Sequence, residues 1–210
     1  MSSSDGPDAL ALATAERHDL ADLLDTLTDD EWATPSLCED WSVRDVVAHV
    51  ISYEHLGWPG AIGRMARARF NGERANAIGL REASDASPAD LVRTLRDHAR
   101  PRGLTSGFGG RIGLTDGVIH HQDIRRPLGR PRIVPAERLL VALDFSLRAP
   151  PLPSRTKVRG LRLVATDLDW TTGDGPEVRG PAEALLLTIA GRPAALADLS
   201  GPGLDRLAPA

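Results

Sequence analysis

Asp116 precedes His120 by four positions, and His49 stands on an earlier apolar segment. On a helix, positions i and i+4 share a face, so a carboxylate oxygen and an imidazole nitrogen can converge on one point. In a bundle of four helices, His49 could approach that point from a facing helix. Two imidazoles and one carboxylate make a three-ligand set. Such a set leaves positions open for water or substrate and suits a catalytic divalent metal better than a structural one. The competing reading is a surface ion pair beside an ordinary core histidine. Spacing alone does not separate the two, and Gly117 inside the same segment weakens the helix that both require.

Other chemically capable residues read as less productive. Cys38 is the only cysteine and has no suitably spaced histidine nearby, so it reads as inert packing. The segment Gly107-Phe108-Gly109-Gly110-Arg111 is glycine-rich but follows no strand, so it is no phosphate cradle; a lid beside the metal remains open to it. The run Arg64-Met65-Ala66-Arg67-Ala68-Arg69 reads as a solvated helix face. His18, His55 and His98 read as surface or packing histidines.

The elements that must position these residues announce themselves through start and stop signals. Leu10, Leu20, Leu23, Leu24 and Leu27 fall near one helical face. Thr28-Asp29-Asp30-Glu31 has the grammar of a capping box. Ser42-Val43-Arg44-Asp45 has it too, with Trp41 and Val46 placed for a hydrophobic staple, and predicts a helix over 43–56 that bears His49. Ser87-Pro88-Ala89-Asp90 repeats the signal and predicts a helix to about Arg100. Residues 101–113 hold five glycines and read as a loop. A helix over 114–126 bears Asp116 and His120, and Pro135 opens another with Leu139, Leu140, Leu143 and Leu147 on one side. Beyond Ala149 the grammar changes: Pro150, Pro151 and Pro153 make a stiff connector, 161–166 alternates like a strand, and short strands flank the turn Gly173-Asp174-Gly175. A last helix starts at Pro181, with Gly191 suited to its C-terminus. The expected architecture is α+β: a helical domain over 1–149 and a small α/β domain over 150–210, too small for a large core of its own.

The composition bounds the function. The 210 residues are 41% hydrophobic and 26% charged, with a net charge of −4, as in an ordinary globular chain. No wholesale positive charge exists to neutralise a phosphate backbone, which argues against a nucleic-acid partner. No apolar run approaches the roughly 20 residues that span a bilayer. The first seven residues lack the regions of a signal peptide, and a lone cysteine excludes an internal disulfide; both point to the cytoplasm. Only Lys157 among the 25 basic residues is lysine, which reads as the codon bias of a GC-rich genome.

Three separated segments share one resemblance. Leu37-Cys38-Glu39-Asp40-Trp41-Ser42-Val43-Arg44-Asp45-Val46-Val47-Ala48-His49 resembles the start of the histidine-bearing second helix of the DinB-like superfamily, and more narrowly of the mycothiol-dependent maleylpyruvate isomerase family. Gly117-Val118-Ile119-His120-His121-Gln122-Asp123 with Ile124-Arg125-Arg126-Pro127-Leu128-Gly129 resembles that family's second metal motif. The tail, with Val164-Ala165-Thr166-Asp167, Trp170, Gly173-Asp174-Gly175-Pro176 and Ala190-Gly191-Arg192, resembles its small C-terminal domain. The resemblance implies a DinB-like four-helix bundle whose metal ligands fall on His49, Asp116 and His120, with zinc as the expected ion. The family more usually has Glu at the acid position; Asp is one methylene shorter and must bring its backbone closer to the metal. His121 lies about 100° around the helix from His120 and is expected to be a neighbour, not a ligand. Asp123 either orients the His120 imidazole or pairs with Arg126. The resemblance also gives Arg192 a catalytic role, where its guanidinium would suit an anionic carboxylate or a polar thiol cofactor; the alternative is a cation favoured by the end of a helix.

The implied cofactors are a divalent metal and mycothiol, an actinobacterial thiol, or a similar small thiol. A metal-bound thiol loses its proton readily. In the isomerase it adds to the cis double bond of maleylpyruvate, the resulting single bond rotates, and elimination leaves the trans isomer. Relatives instead transfer the thiol to small-molecule electrophiles. Two further readings stay open: a non-catalytic metal- or ligand-binding protein on the same fold, slightly favoured by the Asp, and a metal-dependent hydrolase.

Overall fold

The coordinates are a computed structural model and describe residues 7–148, 156 and 158–207. The chain forms two compact units, 1–132 and 133–210.

The first unit is helical. It comprises α1 (Ala9–Leu24), α2 (Asp29–Ala33), α3 (Val43–Ile51), α4 (Gly57–Arg67), α5 (Gly72–Glu82), α6 (Pro88–Asp97) and α7 (Arg111–Arg125), with a 3-10 turn at Gly103–Ser106. Helices α1 and α3 each pack against both α6 and α7, which makes the expected four-helix bundle. Its core is built from the apolar faces the sequence displays, including Leu20 and Leu24 of α1, Val43, Val46, Val47 and Val50 of α3, and Leu91 and Leu95 of α6. All three capping boxes form: Thr28 with Glu31, Ser42 with Asp45, and Ser87 with Asp90.

The helices of the first unit differ from the sequence reading in four places. Helix α3 stops at Ile51. Three residues on, Glu54 is drawn inward to Arg17, whose Nη2 donates to it at 2.6 Å. The Glu54 carboxylate also accepts from the Thr105 hydroxyl at 2.8 Å and the Arg102 amide at 3.3 Å, so it fastens the start of the glycine-rich segment. Helix α7 begins at Arg111, ahead of the expected 114, on Gly110 at φ +94°. A Cβ there would lie 2.6 Å from the Leu10 Cα, so only glycine lets α7 start this close to α1. Helix α5 was not expected; its polar sequence hides a two-residue buried face of Ala75 and Gly79. Arg64 is 3% exposed rather than solvated, while Arg67 and Arg69 are exposed.

The second unit holds α8 (Ala136–Ser146), β1 (Arg162–Ala165), β2 (Thr171–Thr172), β3 (Glu177–Gly180) and α9 (Ala182–Ile189). The sheet order is β2-β1-β3, with β1 antiparallel to β2 and parallel to β3. Leu163 pairs with Thr172 on one side and Val178 on the other. Helix α8 groups here rather than with the bundle, because its buried Leu139, Ala142 and Leu143 belong to a face that packs with α9. Trp170 Nε1 donates to Asp144 Oδ1 at 3.0 Å and ties the sheet to the same helix. Asp167 caps α9 by accepting from the Ala182 amide at 2.8 Å, and Gly191 ends it at φ +84°. The proline connector lies outside the described residues. No helix among the described residues is long and apolar enough to cross a membrane.

Candidate metal centre

Helices α3 and α7 face each other in the bundle and bring His49, Asp116 and His120 together. Asp116 Oδ1 lies 3.6 Å from His49 Nε2 and 3.4 Å from His120 Nε2, and the three donor atoms are all within 4.8 Å of one another. These separations are long for hydrogen bonds. They fit a shared ion: in a tetrahedron with bonds of about 2.1 Å, ligand atoms sit roughly 3.4 Å apart. The shorter Asp side chain thus sets one oxygen within 3.6 Å of both imidazoles. Gly117, next to Asp116, admits the neighbouring helix: a Cβ there would lie 3.3 Å from Glu16 Cγ on α1.

The surroundings orient these side chains. His120 Nδ1 is 2.9 Å from Asp123 Oδ2, and Asp123 is fully buried. Of the two roles open to Asp123, orienting the imidazole is the one this contact performs. A proton on Nδ1 leaves the Nε2 lone pair directed toward Asp116. Trp41 stands over both rings, 5.0 Å from His49 and 6.5 Å from His120 between centroids, and the imidazoles meet edge to face at 4.8 Å. Burial disfavours the Asp116 charge, but the adjacent imidazoles of His120, then of His49, outweigh it and hold the carboxyl well below the usual carboxylate range. Burial likewise opposes charge on His120, and Asp116, with help from Asp123 and Cys38, overcomes it and raises the imidazole well above its ordinary value. Asp116 is 29% exposed, so one side of the cluster remains accessible.

Cys38 is not mere packing. Its Sγ lies 3.1 Å from Asp123 Oδ2 and 3.7 Å from His120 Nδ1, across 85 and 82 residues of sequence. Cys38, His120 and Asp123 form a second trio with metal-capable geometry. Its contacts of 2.9 and 3.1 Å are hydrogen-bond distances, and it engages the nitrogen of His120 that faces away from Asp116. No sequence spacing signals this thiol; only its place just ahead of the α3 cap does.

His121 points away from the cluster, as expected. Its Nδ1 is 2.8 Å from Glu16 Oε1, and its Nε2 accepts from Arg125 Nε at 2.9 Å. Burial pushes its pKa down to about 4, so it is neutral, with the proton on Nδ1. Arg132 completes this network by pairing with Glu16. Arg192 is half-buried in the second unit, where its Nη1 donates to the Ala190 carbonyl at 2.8 Å at the end of α9. That contact places the guanidinium beside the C-terminal end of α9.

A helical bundle with a His/Asp/His cluster on facing helices, followed by a small α/β unit, is an architecture with known counterparts. Residues 13–103 match the family model of the mycothiol maleylpyruvate isomerase N-terminal domain. The match includes His49 and ends before Asp116. Two solved structures share the fold over 96% of both chains at 16% identity: a mycothiol-dependent maleylpyruvate isomerase, with a TM-score of 0.62, and a histidine-to-alanine variant of it, with 0.63. The resemblance read from the sequence is thus borne out for the family segment and for the α+β fold. No curated protein matches the chain.

Proposed function

We propose that this chain is a metal- and thiol-dependent enzyme that isomerises a maleylpyruvate-type unsaturated acid, with His49, Asp116 and His120 holding a divalent cation. The observation that supports it most directly is the spacing of the three donor atoms about Asp116 Oδ1, at 3.4 and 3.6 Å, with one side accessible. Two nitrogens and one oxygen suit zinc with an open position. A cation held there supplies Lewis acidity, which makes a small thiol such as mycothiol nucleophilic near neutral pH.

The chain's own residues prepare that chemistry. Asp123 holds His120 in the tautomer that presents Nε2. Trp41 covers the two imidazoles and limits their rotation and hydration. Cys38 is engaged with Asp123, so the nucleophilic thiol must come from outside. Arg192 is the proposed binder of the substrate carboxylate.

The test uses the purified full chain with zinc, mycothiol and maleylpyruvate. Wild-type protein binds one zinc and forms the trans isomer. His49→Ala and Asp116→Ala lose stoichiometric zinc and turnover together, whereas Arg192→Ala keeps zinc and raises KM. A protein that binds zinc yet leaves maleylpyruvate unchanged with thiol present refutes the activity. A protein that binds no divalent metal refutes the three-ligand centre.

A further inference from the structure

Residues 36–41, just ahead of the α3 cap, form a tight loop that reaches the outer side of the metal centre. Ser36 donates to the Trp41 carbonyl from its amide at 2.8 Å and from its hydroxyl at 2.9 Å. The Trp41 amide donates back to the Cys38 carbonyl at 3.1 Å, and Asp40 closes the turn at φ +62°. The Leu37 amide donates to the Asp123 carbonyl at 3.1 Å, which fastens the loop to α7. The same loop thereby sets Trp41 over the rings of His49 and His120 and sets Cys38 against Asp123.

The two imidazoles are held unequally. His49 Nδ1 is buried with no hydrogen-bond partner, whereas His120 Nδ1 has Asp123 Oδ2 at 2.9 Å. The hydrogen-bonded hold on the pair therefore acts through His120 and depends on where the Asp123 carboxylate points. A carboxylate turns easily about its last side-chain bond. The Cys38 thiol donates to the same Oδ2 at 3.1 Å, and its sulfur lies 3.7 Å from His120 Nδ1. Two donors on one oxygen, one from the loop and one from α7, oppose that rotation. Asp123 is fully buried, so bulk water does not stand in for a lost donor. We propose that Cys38 is a positioning residue of the metal centre: its thiol holds Asp123 Oδ2 on His120 Nδ1 and so keeps His120 Nε2 turned toward Asp116. This role rests on the three-ligand centre proposed above, not on the reaction assigned to it. Cys38 acts through Asp123 and His120, and its sulfur stays outside the coordination of the cation.

Zinc affinity is measured on the full chain by competition with a chromophoric chelator at alkaline pH, for wild type, Cys38→Ala and Cys38→Ser. Cys38→Ala removes the donor and weakens zinc about fivefold, less than the tenfold or more that follows loss of a direct partner of a ligating histidine, because a thiol is a weak donor. Cys38→Ser keeps a donor, as a hydroxyl, and recovers most of that affinity. A sulfur that merely fills space predicts no recovery, since a smaller polar side chain replaces it no better than alanine at this half-buried position. Cobalt-loaded wild type shows no thiolate-to-cobalt charge-transfer band, and this measurement needs no variant to fold. The proposal is overturned if Cys38→Ala binds zinc as wild type does, if Cys38→Ser binds it no better than Cys38→Ala, or if the cobalt protein shows that band. The first two results leave the three-ligand centre standing. Wild type that binds no divalent metal overturns the centre and this role together.

Discussion

Asp123→Asn is the most informative single substitution at the proposed metal centre. Asp123 is fully buried, and its Oδ2 sits 2.9 Å from His120 Nδ1 and 3.1 Å from Cys38 Sγ. The amide oxygen of Asn can occupy the same position and accept both contacts, so shape and packing are preserved and only the charge is removed. A hydrogen bond to a charged group contributes about 1.5–3 kcal/mol and a neutral one about 0.5–1.5. The difference of about 1–1.5 kcal/mol corresponds to roughly tenfold weaker zinc binding, the lower end of the usual range for partners of ligating histidines. Asp123→Ala leaves Nδ1 without this acceptor and frees the ring to turn, so its loss is nearer a hundredfold. One effect has the opposite sign. Asp123 also helps to raise the proton affinity of His120, so its removal weakens the proton's competition for Nε2 at neutral pH. Zinc affinity is therefore measured by competition with a chromophoric chelator at neutral and at alkaline pH, and the full deficit appears at the alkaline value. Circular dichroism of the metal-free variants separates loss of affinity from loss of fold. If Asp123→Asn and Asp123→Ala bind zinc as tightly as wild type at alkaline pH, Asp123 does not orient the ligand and the reasoning fails.

Two further outcomes concern stability. Ser42→Ala removes the cap that receives the Asp45 amide at 3.2 Å and donates to its carboxylate at 2.6 Å, so it lowers stability by about 1 kcal/mol and the melting temperature by a few degrees. Ser42→Thr, which keeps a hydroxyl that both accepts and donates, restores most of the loss, and an unchanged melting temperature in Ser42→Ala would show that the cap contributes nothing. Glu16 is fully buried; burial raises its carboxyl pKa, but His121 and Arg132 more than compensate and bring it from 4.5 to about 2. A carboxyl lowered by folding stabilises the fold above its unfolded pKa, by about 3 kcal/mol here, and loses that contribution as the pH falls from 4.5 toward 2. Urea unfolding across that range therefore falls more steeply for wild type than for Glu16→Gln, and parallel curves would remove Glu16 from the acid-sensitive network.

Much of this protein is legible in its sequence because much of it is local. A capping box needs only residues three apart, and the boxes at Thr28, Ser42 and Ser87 all form. The Asp116–His120 pair needs only one helical turn, and the resemblance around His49 placed the third member on the facing helix. What tertiary structure alone decided lies in contacts that no spacing encodes. Cys38 reads as isolated until the bundle sets it against Asp123, 85 residues away. Asp123 reads equally well as a partner of Arg126 or of His120, and only burial beside His120 Nδ1 makes it an orienting acceptor. Arg64 belongs to a run that reads as a solvated face, yet it is drawn inward onto Tyr53 and Glu82. Helix α8 reads as part of the bundle until its leucines are found in a face that packs with α9. A helix start is fixed by hydrogen bonds within one turn, so neighbouring residues specify it. The environment of a buried charge depends on which distant surfaces exclude water around it, and only the assembled bundle determines those surfaces.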